Sequence, residues 1–448
     1  MEQRQLSSHA TSGFNAAQLS WVAMFCSILI WGFGQTQAGT IGNAGNWYRI
    51  GLVFLAGGIA LFALLRNASR LPNAFAAPLL LFLVYGIVAM ISSLYIPAYS
   101  FYSMWKGFEI VVDVLTVVAI LAYLHPYRAA RLAYVIIVGA FRVLIVIALV
   151  EALVVPSGAF QPSRGLFPYM LHGVLPLMSE NGLAFISAVV AYASWCDLFV
   201  PGKRVLRKLL RMLFLCLGLL TLVLTQSRTS LIGLAVATSV FLLFDRRFGW
   251  LTCILVAAGA AAALTSLVDV SQQFIMRGQS RELFESLSGR VQGWQAAWAL
   301  FKLSPVIGHG FAASARVDIL GPAGASTLHG AVFDVMVGVG LLGLLPWTLG
   351  VLLTGLQLVA FTFSSKLRGR ANAMYTTRHA EMLGLLTLIV IRSATSSGLA
   401  MHDHTFMLFL AIVAYTAAAR NAPVIAASGE PRQRTVPHAR PQVAAFRR

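Results

Sequence analysis

Long apolar runs separated by short polar breaks dominate this chain. A run of about twenty mostly apolar residues is long enough to cross a bilayer as a helix. About twelve such runs follow one another, beginning near Leu19, Trp47, Ala76, Phe108, Ala133, Gly182, Met212, Ser230, Gly249, Gly340, Met382 and Thr405. The pattern predicts an all-α, polytopic membrane protein. One break is larger than the rest: residues 270–330 form a polar island expected to contain short helices, with Trp294 and Trp298 one turn apart on a helix-like segment over 291–302.

Three parts follow from this reading. Residues 1–18 are a polar lead, 19–420 a single membrane domain, and 421–448 a basic tail rich in Pro, Arg and Ala that is expected to be disordered. The lead is too long and mixed for a signal peptide, so the first span is expected to remain as an anchor. No internal repeat of fixed period is evident.

Composition agrees with the pattern, since 58% of residues are hydrophobic and only 11% charged, far from a soluble globular mixture. The formal net charge is +18. Basic residues gather at Arg66 and Arg70, at Arg128 and Arg131, over 203–211, at Arg246 and Arg247, over 366–378, and in the tail. Placing the N-terminus in the cytoplasm puts all of these on one side, as the positive-inside rule requires. Both termini are then cytoplasmic, and the polar island faces outward. The charge thus reports topology in a lipid bilayer and implies no nucleic-acid partner. Cys26, Cys196, Cys216 and Cys253 all lie in apolar runs and read as small hydrophobes, so neither a disulfide nor a metal site is expected.

Basic residues and histidines left on the outer face point to an anionic substrate. Arg228 stands in a tight turn between two spans, where it either snorkels to the surface or turns its planar fork into the bundle toward phosphate oxygens. Arg290 opens the predicted surface helix, and Arg164 lies in the loop before the sixth span. Each is also consistent with a solvated surface arginine. His329 stands where the next span gets under way, either as an interfacial residue or as a proton acceptor kept neutral by nearby arginines. Glu109 and Asp113, one turn apart, and Arg142 and Glu151 on the fifth span are intramembrane charges that fit a proton pathway or structural polar contacts. His402, Asp403 and His404 resemble a metal site in residue type only, because adjacent positions diverge on a helix. There is no Walker loop, dinucleotide fingerprint or recognisable carboxylate pair of a glycosidase, and no cofactor is implied.

Three groups of residues carry a resemblance to a known family. They are Ser227-Arg228-Thr229-Ser230 followed by a span; Ser288-Gly289-Arg290 with Trp294, Pro305, Gly308 and Gly310; and His329 with Gly340 and Gly343. In order and spacing the second half of the chain resembles the O-antigen ligase and O-antigen or exopolysaccharide polymerase superfamily of bacterial inner-membrane glycosyltransferases. Gly330 stands where that family usually has asparagine after the histidine. The resemblance implies metal-independent, inverting transfer of a glycan from an undecaprenyl-diphosphate donor to an acceptor hydroxyl at the periplasmic face. It implies that Arg228 and Arg290, with Arg164 placed by a vaguer match, bind the diphosphate and that His329 activates the acceptor. Asp334 leans toward polymerisation of repeat units. The alternatives are a ligase that moves the glycan onto a lipid A-core or protein acceptor and, from another class, a lipid-linked glycan flippase or transporter.

Overall fold

The computed structural model describes residues 16–31, 44–95, 100–123, 126–163, 167–200, 205–250, 252, 290–313, 328–367 and 373–421. Its long helices are α1 (Ala16–Trp31), α2 (Ala44–Arg66), α3 (Ala77–Ile91), α4 (Ser100–Leu121), α5 (Pro126–Val154), α6 (Glu180–Leu198), α7 (Val205–Thr225), α8 (Arg228–Phe244), α9 (Arg290–Leu303), α10 (Ala331–Leu367), α11 (Ala373–Ser393) and α12 (His404–Asn421). Among the described residues six helices, α2, α3, α5, α6, α7 and α10, are long and apolar enough to cross a membrane, and α1, α8 and α12 are shorter apolar helices. The chain is an all-α, polytopic membrane protein. Among the described residues the only sheet is a two-stranded hairpin, β1 (Phe160–Pro162) antiparallel to β2 (Tyr169–Leu171), with Gln161 opposite Met170.

Eleven of the predicted apolar runs fall on these helices, while the run beginning near Gly249 lies, beyond its first residues, outside the described ones. Residues 1–15 of the polar lead, 422–448 of the basic tail, 270–289 and 314–327 of the polar island, and Arg164 also lie outside them. Two boundaries move for physical reasons. Helix α4 starts at Ser100 rather than near Phe108, because its first two turns carry Lys106 and small polar groups that the apolar count passes over. The run expected to begin at Gly340 is the second half of α10, which begins at Ala331 and breaks at Gly340 (φ 58°, ψ −157°).

That break is held by the segment after α9. The Leu341 and Leu342 amides donate to the carbonyls of Pro305 (2.8 Å) and Val306 (3.1 Å), and the Val337 and Gly338 carbonyls accept from His309 (2.8 Å) and Gly310 (2.7 Å). Backbone groups freed by the break are thereby satisfied within the protein, which is the condition for non-helical chain at membrane depth. The two strands of chain approach so closely that a Cβ on Gly308 (φ 70°) would lie 2.6 Å from the Gly338 carbonyl oxygen. Only glycine fits both the left-handed backbone and that gap. The spacing of Pro305, Gly308, Gly310 and Gly340 in the sequence is therefore the spacing of one broken-helix joint.

Around this joint the bundle is sealed by aromatic side chains. Phe82 meets Phe406 and Phe409 edge-on at 5.8 and 5.1 Å between ring centroids. The hydroxyl of buried Tyr85 donates to the Ala400 carbonyl (2.6 Å) and the Trp347 indole to that of Leu399 (3.0 Å), so the α11–α12 connection is pinned from below. Helices alternate in direction. The ends of α1, α5 and α11 and the starts of α2, α4, α6 and α12 gather at one end of the bundle, around a cavity. Away from it, Arg211 and Arg378 pair with Asp197, and Arg247 pairs with Asp245, which also accepts from Thr377.

Candidate active site

A cavity of about 800 Å³ opens at this end of the bundle, large enough for a sizeable polar ligand. Arg290, His329, Arg392, Glu180, Asp403 and Lys106 are among the residues that line it. The cavity thus unites Arg290 from α9, His329 from the loop before α10 and residues of the α11–α12 connection, which are far apart in sequence.

His329 is placed by packing rather than by chance. The Trp294 ring of α9 stacks on Phe333 (5.2 Å, 14° between planes), and its indole N–H donates to the Leu328 carbonyl at 3.1 Å. Gly330 follows in a corner where an added Cβ would sit 3.1 Å from the Phe333 ring and 3.4 Å from both the Ala394 carbonyl oxygen and the Trp294 indole nitrogen. His329 itself has φ 51°, a left-handed conformation uncommon outside glycine though enriched for histidine. Burial lowers the pKa of the imidazole below its ordinary value, Arg290 and Arg392 lower it further, and Glu180 opposes them. The ring is neutral at pH 7 and able to accept a proton.

Arg290 is partly buried, and burial and the charge of Arg228 both press its pKa downward. Guanidinium keeps its proton regardless, so an anion would relieve this repulsion. Arg228 is the first residue of α8 and half-buried; among the described residues it does not form part of the cavity wall, although its charge reaches Arg290. Its turn is braced by Gln226 (φ 53°), whose side-chain amide donates to the carbonyls of Phe167 (3.1 Å) and Tyr169 (3.0 Å) in the hairpin. Ser227 donates to the Asn181 side-chain oxygen at 3.1 Å, tying the same turn to α6. The structure therefore brings Arg290 and His329 together, sets Arg228 beside them, and leaves Arg164 outside the described residues.

Of the intramembrane charges of the sequence, Glu109, Asp113 and Glu151 fall into polar contacts. Glu109 accepts from Arg49 Nε (2.6 Å) and Lys106 Nζ (3.0 Å), all three being buried. Asp113 pairs with His402 Nδ1 at 2.7 Å, and His402 Nε2 meets Ser27 Oγ at 2.9 Å. Arg142 lies over the Phe214 ring at 5.2 Å. Glu151 accepts from the Val174 (3.0 Å) and Leu175 (2.7 Å) amides and so holds the loop that borders the cavity before α6. His402, Asp403 and His404 do diverge: Asp403 Oδ1 caps α12 through the Thr405 (2.7 Å) and Phe406 (2.9 Å) amides, while His404 packs on Phe141 and Phe185.

Sequence reasoning passed over Arg392, which is only 8% exposed in the last turn of α11 and lines the cavity. It also passed over Glu180 at the start of α6 and the pair Arg49 and Lys106 on the opposite set of helices. The available signal was an arginine inside an apolar run, Ile391-Arg392-Ser393, just before the polar stretch Thr395-Ser396-Ser397. An ionisable residue in a span faces the bundle interior or a cavity.

Residues 212–348 match the family model described as O-antigen ligase. The matched stretch runs from α7 into α10 and contains Arg228, Arg290 and His329, while Arg392 lies beyond it. No curated protein matches the chain. With its apolar helices, the chain is a multi-pass membrane protein whose residues 212–348 are similar to the O-antigen ligase family.

Proposed function

We propose that the protein transfers a glycan from undecaprenyl diphosphate to an acceptor hydroxyl at the periplasmic face of the bacterial inner membrane, joining repeat units of an exopolysaccharide or O-antigen. The acceptor oxygen attacks the anomeric carbon while the bond from that carbon to the diphosphate oxygen breaks and its electron pair leaves with the diphosphate. Attack opposite the leaving group inverts the anomeric centre. The acceptor proton passes to the unprotonated ring nitrogen of His329, and Arg228 and Arg290, with Arg164, meet the charge that develops on the diphosphate. Charge-assisted hydrogen bonds of roughly 1.5–3 kcal/mol each suit that task, with no metal called for in this reading.

The observation that carries the reading is the shared cavity of Arg290 and His329, in which a neutral imidazole stands next to guanidinium groups. A base and an anion clamp side by side are the two parts that glycan transfer from a diphosphate requires. A ligase would use the same pair and differ in its acceptor. A flippase or transporter would need a polar path to the other end of the bundle, whereas the polar groups beneath this cavity are tied to one another through Glu109 and Asp113.

The test is glycan analysis of a deletion strain complemented with wild type, His329→Ala, Arg228→Ala or Arg290→Ala, with membrane abundance measured for each. Single repeat units in all three variants are expected for a polymerase. Long chains that stay on undecaprenyl would instead assign a ligase, and full complementation would remove the enzymatic reading of these residues.

A further inference from the structure

Arg392 is the most heavily buried arginine on the cavity wall apart from Arg49, which already contacts Glu109. Its Nε has no hydrogen-bond partner, and it makes no ion pair among the described residues. The carboxylates that face it are Asp403 and Glu180, and both act from beyond contact distance. Asp403 spends Oδ1 on the start of α12, and Glu180 accepts from the Gln161 (3.2 Å) and Asn181 (2.8 Å) side chains. The remaining charged neighbour is Arg290, and His329 and His404 lie within reach of its field. Ser397 Oγ and His404 Nε2 line the same cavity and are likewise without hydrogen-bond partners among the described residues.

A buried cation without a contacting carboxylate is costly to the empty protein. Such a cost is tolerated where a ligand removes it. Here the ligand must be anionic, must reach two guanidinium groups at once, and must sit beside His329. A planar fork fits the oxygens of a phosphate with two parallel bonds, which an ammonium does not.

We propose that Arg392 is a further phosphate-binding arginine of this site, gripping with Arg290 the diphosphate of the lipid-linked donor. The inference rests on the function proposed above and adds a residue outside the matched O-antigen ligase domain. Helix α11 would then supply a fixed clamp from within the membrane, and α9 would supply its counterpart from the loop above.

The test uses the full chain in lipid nanodiscs, with thermal unfolding followed across a titration of inorganic pyrophosphate and, separately, undecaprenyl diphosphate. Arg392→Met is expected to unfold at the same temperature as wild type or higher when no anion is present. Its apparent affinity for both probes should fall roughly ten- to a hundredfold. Arg392→Lys, which keeps the charge and guards against a misfolded variant, should recover only part of that loss. An Arg392→Met protein that is destabilised without anion and yet binds both probes as wild type does would make Arg392 a structural residue and overturn the inference. Wild-type affinity in Arg392→Lys would overturn the role of the fork. Binding that depends on Arg290 but not on Arg392 removes this inference alone. Binding that neither substitution affects, or none in wild type, removes the diphosphate site with it.

Discussion

The two ends of α11 treat an arginine in opposite ways. Near its start, Arg378 reaches Asp197 on α6 at 2.7 Å and Glu381 one turn on, and Asp197 also pairs with Arg211 on α7 at 2.9 Å. Tyr134 of α5 completes the cluster by donating to Glu381 at 2.7 Å. In its last turn, Arg392 is more deeply buried and touches no carboxylate among the described residues. Same helix, same residue type and similar burial give a satisfied network at one end and an unmet cation at the other. The first arrangement locks four helices together; the second leaves charge for something that is not protein.

The contrast can be broken most severely at the cavity. His329→Ala should lower transfer activity by about 10²–10⁴-fold, the range for a general base, while the thermal midpoint and membrane abundance stay close to wild type. Activity measured per folded molecule decides it, and a variant with full activity would strip the site of its base. At the other end the expectation reverses. Arg378→Met leaves Asp197 and Glu381 short of a cation in a partly buried setting and should cost about 3 kcal/mol of stability, the lower end of the range for a broken buried pair. Folded yield and unfolding temperature would drop, but turnover by the surviving molecules should not.

A gentler probe is the acid limb of the rate. Burial, Arg290 and Arg392 hold the His329 pKa below its ordinary value of about 6.5. Activity that needs the neutral ring is then full at pH 7 and falls only at pH values below that ordinary value. Removing a cation by Arg392→Met relieves part of the repulsion, raises the pKa and moves the limb of kcat/KM upward in pH. Glu180→Gln removes the opposing carboxylate and moves it downward. Substitution at the far end, Arg378→Met, should leave the limb in place. The smallest effect is expected from Trp294→Phe, which keeps the stack on Phe333 but drops the bond to the Leu328 carbonyl. A net hydrogen bond is worth about 0.5–1.5 kcal/mol, so activity should fall by about tenfold at most.

Much of the fold was legible because the bilayer sets one length for every span, and eleven apolar runs of that length sit on helices. The break in α10 was not. Its cause is a partner segment, Pro305 to Gly310, far back in the chain, whose carbonyls and amides replace those of the helix, and apolar counting reads straight through Gly340. At the site, Arg228 stood out in a tight turn between two apolar runs, and Arg290 and His329 stood out beside glycines in the polar island. Arg392 did not, since it is embedded in an apolar run and acquires meaning only from what α11 packs beside. Glu109 shows the same limit from the other side. Its charge is visible in α4, but its partner Arg49 comes from α2, sixty residues away.

The central claim is that Arg290 and Arg392 at the cavity end receive a diphosphate next to His329. The most direct measurement is a cryo-electron-microscopy map of the protein in lipid nanodiscs with undecaprenyl diphosphate. The account predicts phosphate density within hydrogen-bond distance of Arg290 and Arg392, beside the His329 ring. Density for the diphosphate elsewhere on the bundle, with the cavity holding only water, would contradict it.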